Sequence, residues 1–182
     1  ALLVNLNDNV QLGLYNVAIS ISGYLAIFQT SISNTFQPDI FEAVANNNKK
    51  KIIIITGGIN LLNLIPIIIF IAFAPFIIKI LTAGRFTDAY TYARILALNN
   101  VSMTLAYTSM SSIFIAKGYT FLSMTSEVIG AILSIVMFKI MINKYNFYGA
   151  AWGQVISYFL IFIIGILSYF LYKKFFNKPI KR

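Results

Sequence analysis

The sequence predicts an all-α integral membrane protein with five transmembrane helices. Three observations lead there. Apolar residues make up 59% of the 182 positions and charged residues only 10%, against about 25% charged in a soluble domain. The mean hydropathy is +0.80. Five separate stretches reach the roughly 20 mostly apolar residues that an α-helix needs to cross a bilayer.

The elements follow in order. The first helix covers 13–37 and is expected to end at Pro38, which cannot donate to a helical ladder. The second covers 52–80, rich in Ile, with Pro66 inside it to bend it. The third covers 90–115, the fourth 121–142 and the fifth 149–172. The connections "PDIFEAVANNNKKK", "LTAGRFTDA", "AKGYT" and "NKYNFY" are too short to be domains. The opening "ALLVN" reads as the tail of a preceding apolar helix. The chain is therefore expected to be a C-terminal piece of a longer membrane protein.

Orientation follows from Lys and Arg. One side collects Lys49, Lys50, Lys51, Lys117, Lys173, Lys174, Lys178, Lys181 and Arg182; the other has Lys79, Arg85, Arg94, Lys139 and Lys144. The positive-inside rule then puts the C-terminus in the cytoplasm. The net charge of +9 thus reads as topology and contact with membrane lipids, not as nucleic-acid binding. The chain has no Cys and no His, which removes thiol nucleophiles, imidazole acid–base chemistry and the usual zinc sites. Asp39 and Glu42 are three apart at a helix end and read as a solvated terminus, not a hydrolase pair. No enzyme site, cofactor or metal is expected.

Polar residues recur at helical spacing, about 100° apart per residue. On the first helix Asn16, Ser20, Gly23 and Asn34 share a stripe, with Thr30 at its edge. On the third, Asn100, Thr104, Tyr107 and Ser111 do so; on the fourth, Ser123, Glu127, Gly130 and Ser134. The second helix carries a short patch of Thr56, Asn60 and Asn63 near its cytoplasmic end. Such residues serve either as glue where transmembrane helices meet or as the wall of a water-filled path. One hydroxyl needs one partner, but several full stripes need water or a polar ligand.

Glu127 is the one acid inside an expected span. Charge there is costly, so it is a candidate carrier of a coupling proton or holder of a cation. Alternatively it reaches Lys117 or water at the cytoplasmic end. Arg94 either snorkels to the outer interface or faces a cavity as a donor to phosphate. In "YNFYGAAWGQVIS", Gly149, Gly153 and Ser157 form a small-residue ladder for close helix packing. Tyr145, Phe147, Tyr148 and Trp152 suit an interfacial aromatic belt. Gln154 needs a partner in the protein interior.

Several stretches taken together resemble a known family. "LGLYNVAISISGYLAIFQTSISNTFQPDI", with Gly13, Tyr15 and Pro38, resembles the eighth helix of polysaccharide flippases. "APFIIKILTAGRFTDAYTYARILAL", with Pro75, Gly84, Phe86, Ala89 and the "RIL" at 94–96, resembles the end of their ninth helix and the start of their tenth. "YTSMSSIFIAKGYT" and "YNFYGAAWGQVISY" are similar to their inner turn and to the run before their last helix. The family is the O-antigen and capsular polysaccharide flippases of the multidrug/oligosaccharidyl-lipid/polysaccharide exporter superfamily.

The resemblance implies the C-terminal lobe of a twelve-helix, inverted-V transporter, helices eight to twelve. Its substrate would be undecaprenyl-pyrophosphate-linked oligosaccharide, a lipid-linked oligosaccharide moved across the bacterial cytoplasmic (inner) membrane. No bond is broken, so no catalytic residue is implied. The substrate path would run over Asn16, Ser20, Asn34, Arg94, Asn100, Thr104, Tyr107, Ser111, Ser123 and Ser134. The partners implied are the N-terminal half of the same protein and other polysaccharide assembly proteins. A multidrug exporter or lipid II flippase of the same fold, a glycan-assembly enzyme and a non-transporting scaffold are the alternatives.

Overall fold

The computed structural model describes residues 9–176. The opening "ALLVN" and the tail carrying Lys178, Lys181 and Arg182 lie outside the described residues. Within them the regular structure is helical: α1 (Asn9–Ala45), α2 (Lys49–Leu81), a 3₁₀ turn (Thr87–Ala89), α3 (Tyr90–Met103), a π-helical segment (Thr104–Ser111), α4 (Ser112–Ala116) and α5 (Thr120–Phe176). Three helices, Asn9–Ala45, Lys49–Leu81 and Thr120–Lys174, are long and apolar enough to cross a membrane. Their outer faces agree with that composition. Ile53, Leu61, Ile65, Ile68, Ile132 and Ile135 are all more than half exposed, a surface that water would not tolerate at this extent.

The first departure from expectation is Pro38, which does not end its helix. α1 continues two turns beyond it, to Ala45. Packing outweighs the lost hydrogen bond: Ile40 and Val44 join Ile59 of α2 in a buried cluster beside Ile113 and Ala116. The loop then shrinks to residues 46–48. Asn47 adopts a left-handed φ of 50°, and Asn48 N–H reaches back to the Ala43 carbonyl at 2.9 Å, the long bond of a Schellman end. The Asn48 side chain at once caps α2, accepting from Lys51 N–H at 3.0 Å. Gly118 closes α4 in the same way, at φ 75°, with Tyr119 N–H on the Phe114 carbonyl at 2.8 Å.

The second departure is that the third expected helix is not a uniform α-helix. Its middle, Thr104–Ser111, is π-helical. The wide turn is visible at Tyr107, whose carbonyl accepts both the backbone N–H of Ser112 and its Oγ–H at 3.2 Å, five residues on.

The 57-residue α5 is two rods. Asn146 breaks the helical dihedrals with φ 52° and ψ −129°. A Cβ at Gly130 would strike Ile161, one at Gly153 would meet Phe138, and one at Gly149 would fall on the Met141 carbonyl. Residues 130 and 161 would lie about 46 Å apart in a straight helix, at 1.5 Å per residue. Their contact requires residues 120–145 and 147–176 to run antiparallel. Gly149 and Gly153 thus sit in the seam of a helical hairpin, and Ser157 is buried beside them, its Oγ donating to the Gly153 carbonyl at 2.6 Å.

One consolidated core ties the bundle together at the end that holds the N-terminus of α1. Tyr15, Ala18, Phe70, Ala74, Leu96 and Ala151, from four helices, belong to it. Phe147 is 3% exposed there and packs on Tyr15. It is core rather than interfacial belt, unlike the exposed Tyr145, Tyr148 and Trp152. Gln154 finds its interior partner in Tyr15, donating to the phenol oxygen at 3.2 Å. At the opposite end the core divides. One cluster joins α1, α2 and α4; another joins Met110, Phe114 and Leu122 to Phe162 and Tyr169 of α5.

Candidate functional site

A cleft of about 400 Å³ opens where the core divides. Its walls are Gln29, Thr30, Ser33, Asn34 and Gln37 of α1, Thr104, Tyr107 and Ser111 of the π segment, Ser112 of α4, and Tyr158 of α5. Apart from Met103, every lining residue carries an amide, a hydroxyl or a phenol. No Asp, Glu, Lys or Arg lines it.

Each wall has a local cause. On α1, Gln29, Ser33 and Gln37 recur every four residues, as do Thr30 and Asn34, so both rows face one side over two turns. Pro38 has no N–H, so the Asn34 carbonyl loses its helical donor beside the cleft. Tyr107 meets Tyr158 edge to face, with ring centroids 5.9 Å apart, fixing the far wall. π-helical turns are uncommon and gather at functional sites; this one supplies three wall residues, Thr104, Tyr107 and Ser111.

Behind the cleft lies a buried clasp between α1 and α3. Gln29 Nε2 donates to the Asn100 carbonyl at 3.4 Å, and Asn100 Nδ2 to the Ser22 carbonyl at 3.4 Å. Thr104 Oγ1 donates to the Asn100 carbonyl at 2.9 Å. Asn100, 3% exposed, therefore holds helices together. Gln29 Oε1 is buried with no protein partner, although Gln29 lines the cleft.

Glu127 stands one residue back from the wall. Ser123 Oγ lies 3.1 Å and Ser111 Oγ 3.4 Å from its Oε1, and the two hydroxyls bond each other at 2.5 Å, so one donates to Glu127 and the other to its fellow serine. Ser111 is the link, since it also lines the cleft. The arrangement joins the π segment to the first rod of α5 through a half-buried carboxylate. A carboxylate with two hydroxyls can hold a proton or a hydrogen-bonded water. Among the described residues no group of three His, Cys, Asp or Glu side chains could hold a metal ion.

The structure thus gathers Asn34, Thr104, Tyr107 and Ser111 at one cleft, with Thr30 beside them and Ser123 and Glu127 behind. It separates the others. Asn16 and Ser20 lie in a different groove, with Tyr24 and Thr82, and Ser20 Oγ donates to the Asn16 carbonyl at 3.0 Å. Ser134 donates to the Gly130 carbonyl at 2.7 Å and is not in the cleft wall; Gly130 belongs to the α5 seam.

Arg94 is not in the wall either. Its Nε donates to the Ile71 carbonyl at 3.0 Å, and its guanidinium lies 5.2 Å from the Tyr90 ring centroid. Ile71 is four residues before Pro75, so this is the carbonyl that Pro75 leaves without a helical donor. Arg94 clips α3 to α2 at that carbonyl.

Sequence reasoning passed over Gln29, Ser33, Gln37, Ser112 and Tyr158. The four-residue spacing of the first three was a usable signal, but it lies to one side of the Asn16–Asn34 stripe, whose outer members drew the stripe the wrong way round α1. No family model, no curated protein and no solved structure matches this chain.

Proposed function

We propose that the chain crosses the membrane five times and forms one lobe of a transporter that flips undecaprenyl-pyrophosphate-linked oligosaccharide for surface polysaccharide synthesis. In this reading α1, α2, the Tyr90–Ala116 rod and the two rods of α5 are the five spans. The membrane is the bacterial cytoplasmic one, and the end carrying Lys49–Lys51 and Lys117 faces the cytoplasm. The protein is not an enzyme. The observation that carries the proposal is the uncharged cleft between α1 and the π segment, a polar wall inside an otherwise apolar bundle.

Amides and hydroxyls donate and accept at once, which suits the hydroxyls of a glycan. They do not suit a bare pyrophosphate, which calls for Lys, Arg or a metal. This lobe would face the sugar, and the counter-charge for the pyrophosphate would come from another surface of the transporter. Thr30 and Asn34 are exposed, so they are not consumed as glue between the helices described.

Flipping of a fluorescent lipid-linked oligosaccharide by the full protein in vesicles tests this. Asn34→Leu with Gln37→Leu should slow flipping at an unchanged folded amount, while Ile68→Leu on the outer face of α2 should not. Equal rates for all three would contradict the proposal. Export of lipophilic cations with no glycan flipping would favour the drug-exporter alternative.

A further inference from the structure

The polar patch on α2 plays no part in the cleft, yet it holds an unusual group. Asn63 is 1% exposed, and neither its Oδ1 nor its Nδ2 has a protein partner. Leaving a buried amide unpaired is costly, so such groups in native proteins are met by some ligand. The side chain lines a chamber of about 40 Å³ between α2 and the π segment, with Asn60, Thr104, Ile67, Val101 and Leu105.

Chemistry selects the occupant. Oδ1 needs a donor and Nδ2 an acceptor. A bare cation serves only the oxygen, and an anion only the N–H. Water serves both. Size agrees, because a site needs only about 10–15 Å³ of such space to admit a water, which then wants two to four polar partners. The chamber exceeds that, and its polar groups are the two Asn63 amide atoms with Asn60 and Thr104.

We infer that Asn63 binds one structural water that bridges α2 to the π segment at Thr104. Thr104 lines this chamber and the cleft alike, so the water sits behind the cleft wall. A bridging water can turn with its partners, which suits a joint next to an irregular helical turn better than a fixed side-chain pair.

X-ray radiolysis of the full protein in detergent tests this directly, because hydroxyl radicals formed by X-rays from a bound water oxidise the side chains beside it. Ile67 and Ile59 are both 1% exposed, but only Ile67 lines the chamber. Ile67 should be oxidised several-fold more than Ile59, and Asn63→Leu should abolish the difference while the protein still elutes as a folded species. A protected Ile67 in the wild type overturns the inference whether or not the variant folds. So does Ile67 oxidation unchanged in Asn63→Leu, or a rise in melting temperature with Na⁺ or K⁺ that Asn63→Leu removes, which would mark a cation site.

Discussion

Single residues divide into those that hold helices and those that face the cleft. Arg94 belongs to the first kind. A hydrogen bond from a charged donor is worth about 1.5–3 kcal/mol, so Arg94→Leu should lower the unfolding free energy by about that amount. Arg94→Lys should restore only part of it, since an ammonium lacks the fixed planar donors of a guanidinium. Thermal unfolding in detergent measures both. Glu127 makes the opposite prediction. Glu127→Gln keeps an acceptor for Ser111 and Ser123 but loses the charge, so transport in vesicles should slow while the folded amount stays level. Unchanged transport would leave Glu127 a packing residue. The sequence exposed Glu127 because an acid is rare among apolar residues. It could not expose the role of Arg94, which depends on a carbonyl freed by Pro75 on another helix.

At the scale of elements, the α5 hairpin and the π segment set the geometry. Gly149→Ala would place a methyl group on the Met141 carbonyl, with no flexible side chain to give way. It should cost at least the roughly 1–3 kcal/mol of an overpacked core. Gly57→Ala on α2 meets nothing within 4 Å and should be neutral or stabilising by up to about 1 kcal/mol. Melting temperatures of the two variants, taken side by side, check the seam. The all-helical, apolar character was legible because apolar runs about 20 residues long favour one reading, and three helices are long and apolar enough to cross a membrane. The passage of α1 through Pro38 was not, because Ile40 and Val44 are held by α2 and α4, contacts far away in sequence. The π segment was not legible either. Its residues have ordinary helical spacing, and its wide turn shows only in the bonds to the Tyr107 carbonyl.

For the molecule as a whole, the division of the core decides where polar groups can gather. Tyr15, Phe147 and Leu96 fill the centre at one end; where the core splits in two, amides and hydroxyls line a gap. The stripes on the sequence located half of that wall. They could not say which polar residues meet across helices: Asn34, Thr104 and Ser111 line one cleft, while Asn16 and Ser20 line another groove and Ser134 neither. The central claim is that this gap is wet. The chain has no Cys, so single cysteines at Thr30, Asn34, Ser134, Ile68 and Phe162 can be challenged one by one with a membrane-impermeant thiol reagent in the full protein. Cysteines replacing Thr30 and Asn34 should react, and those replacing Ser134, Ile68 and Phe162 should stay protected. Equal protection at all five positions would contradict a water-filled cleft between α1 and the π segment.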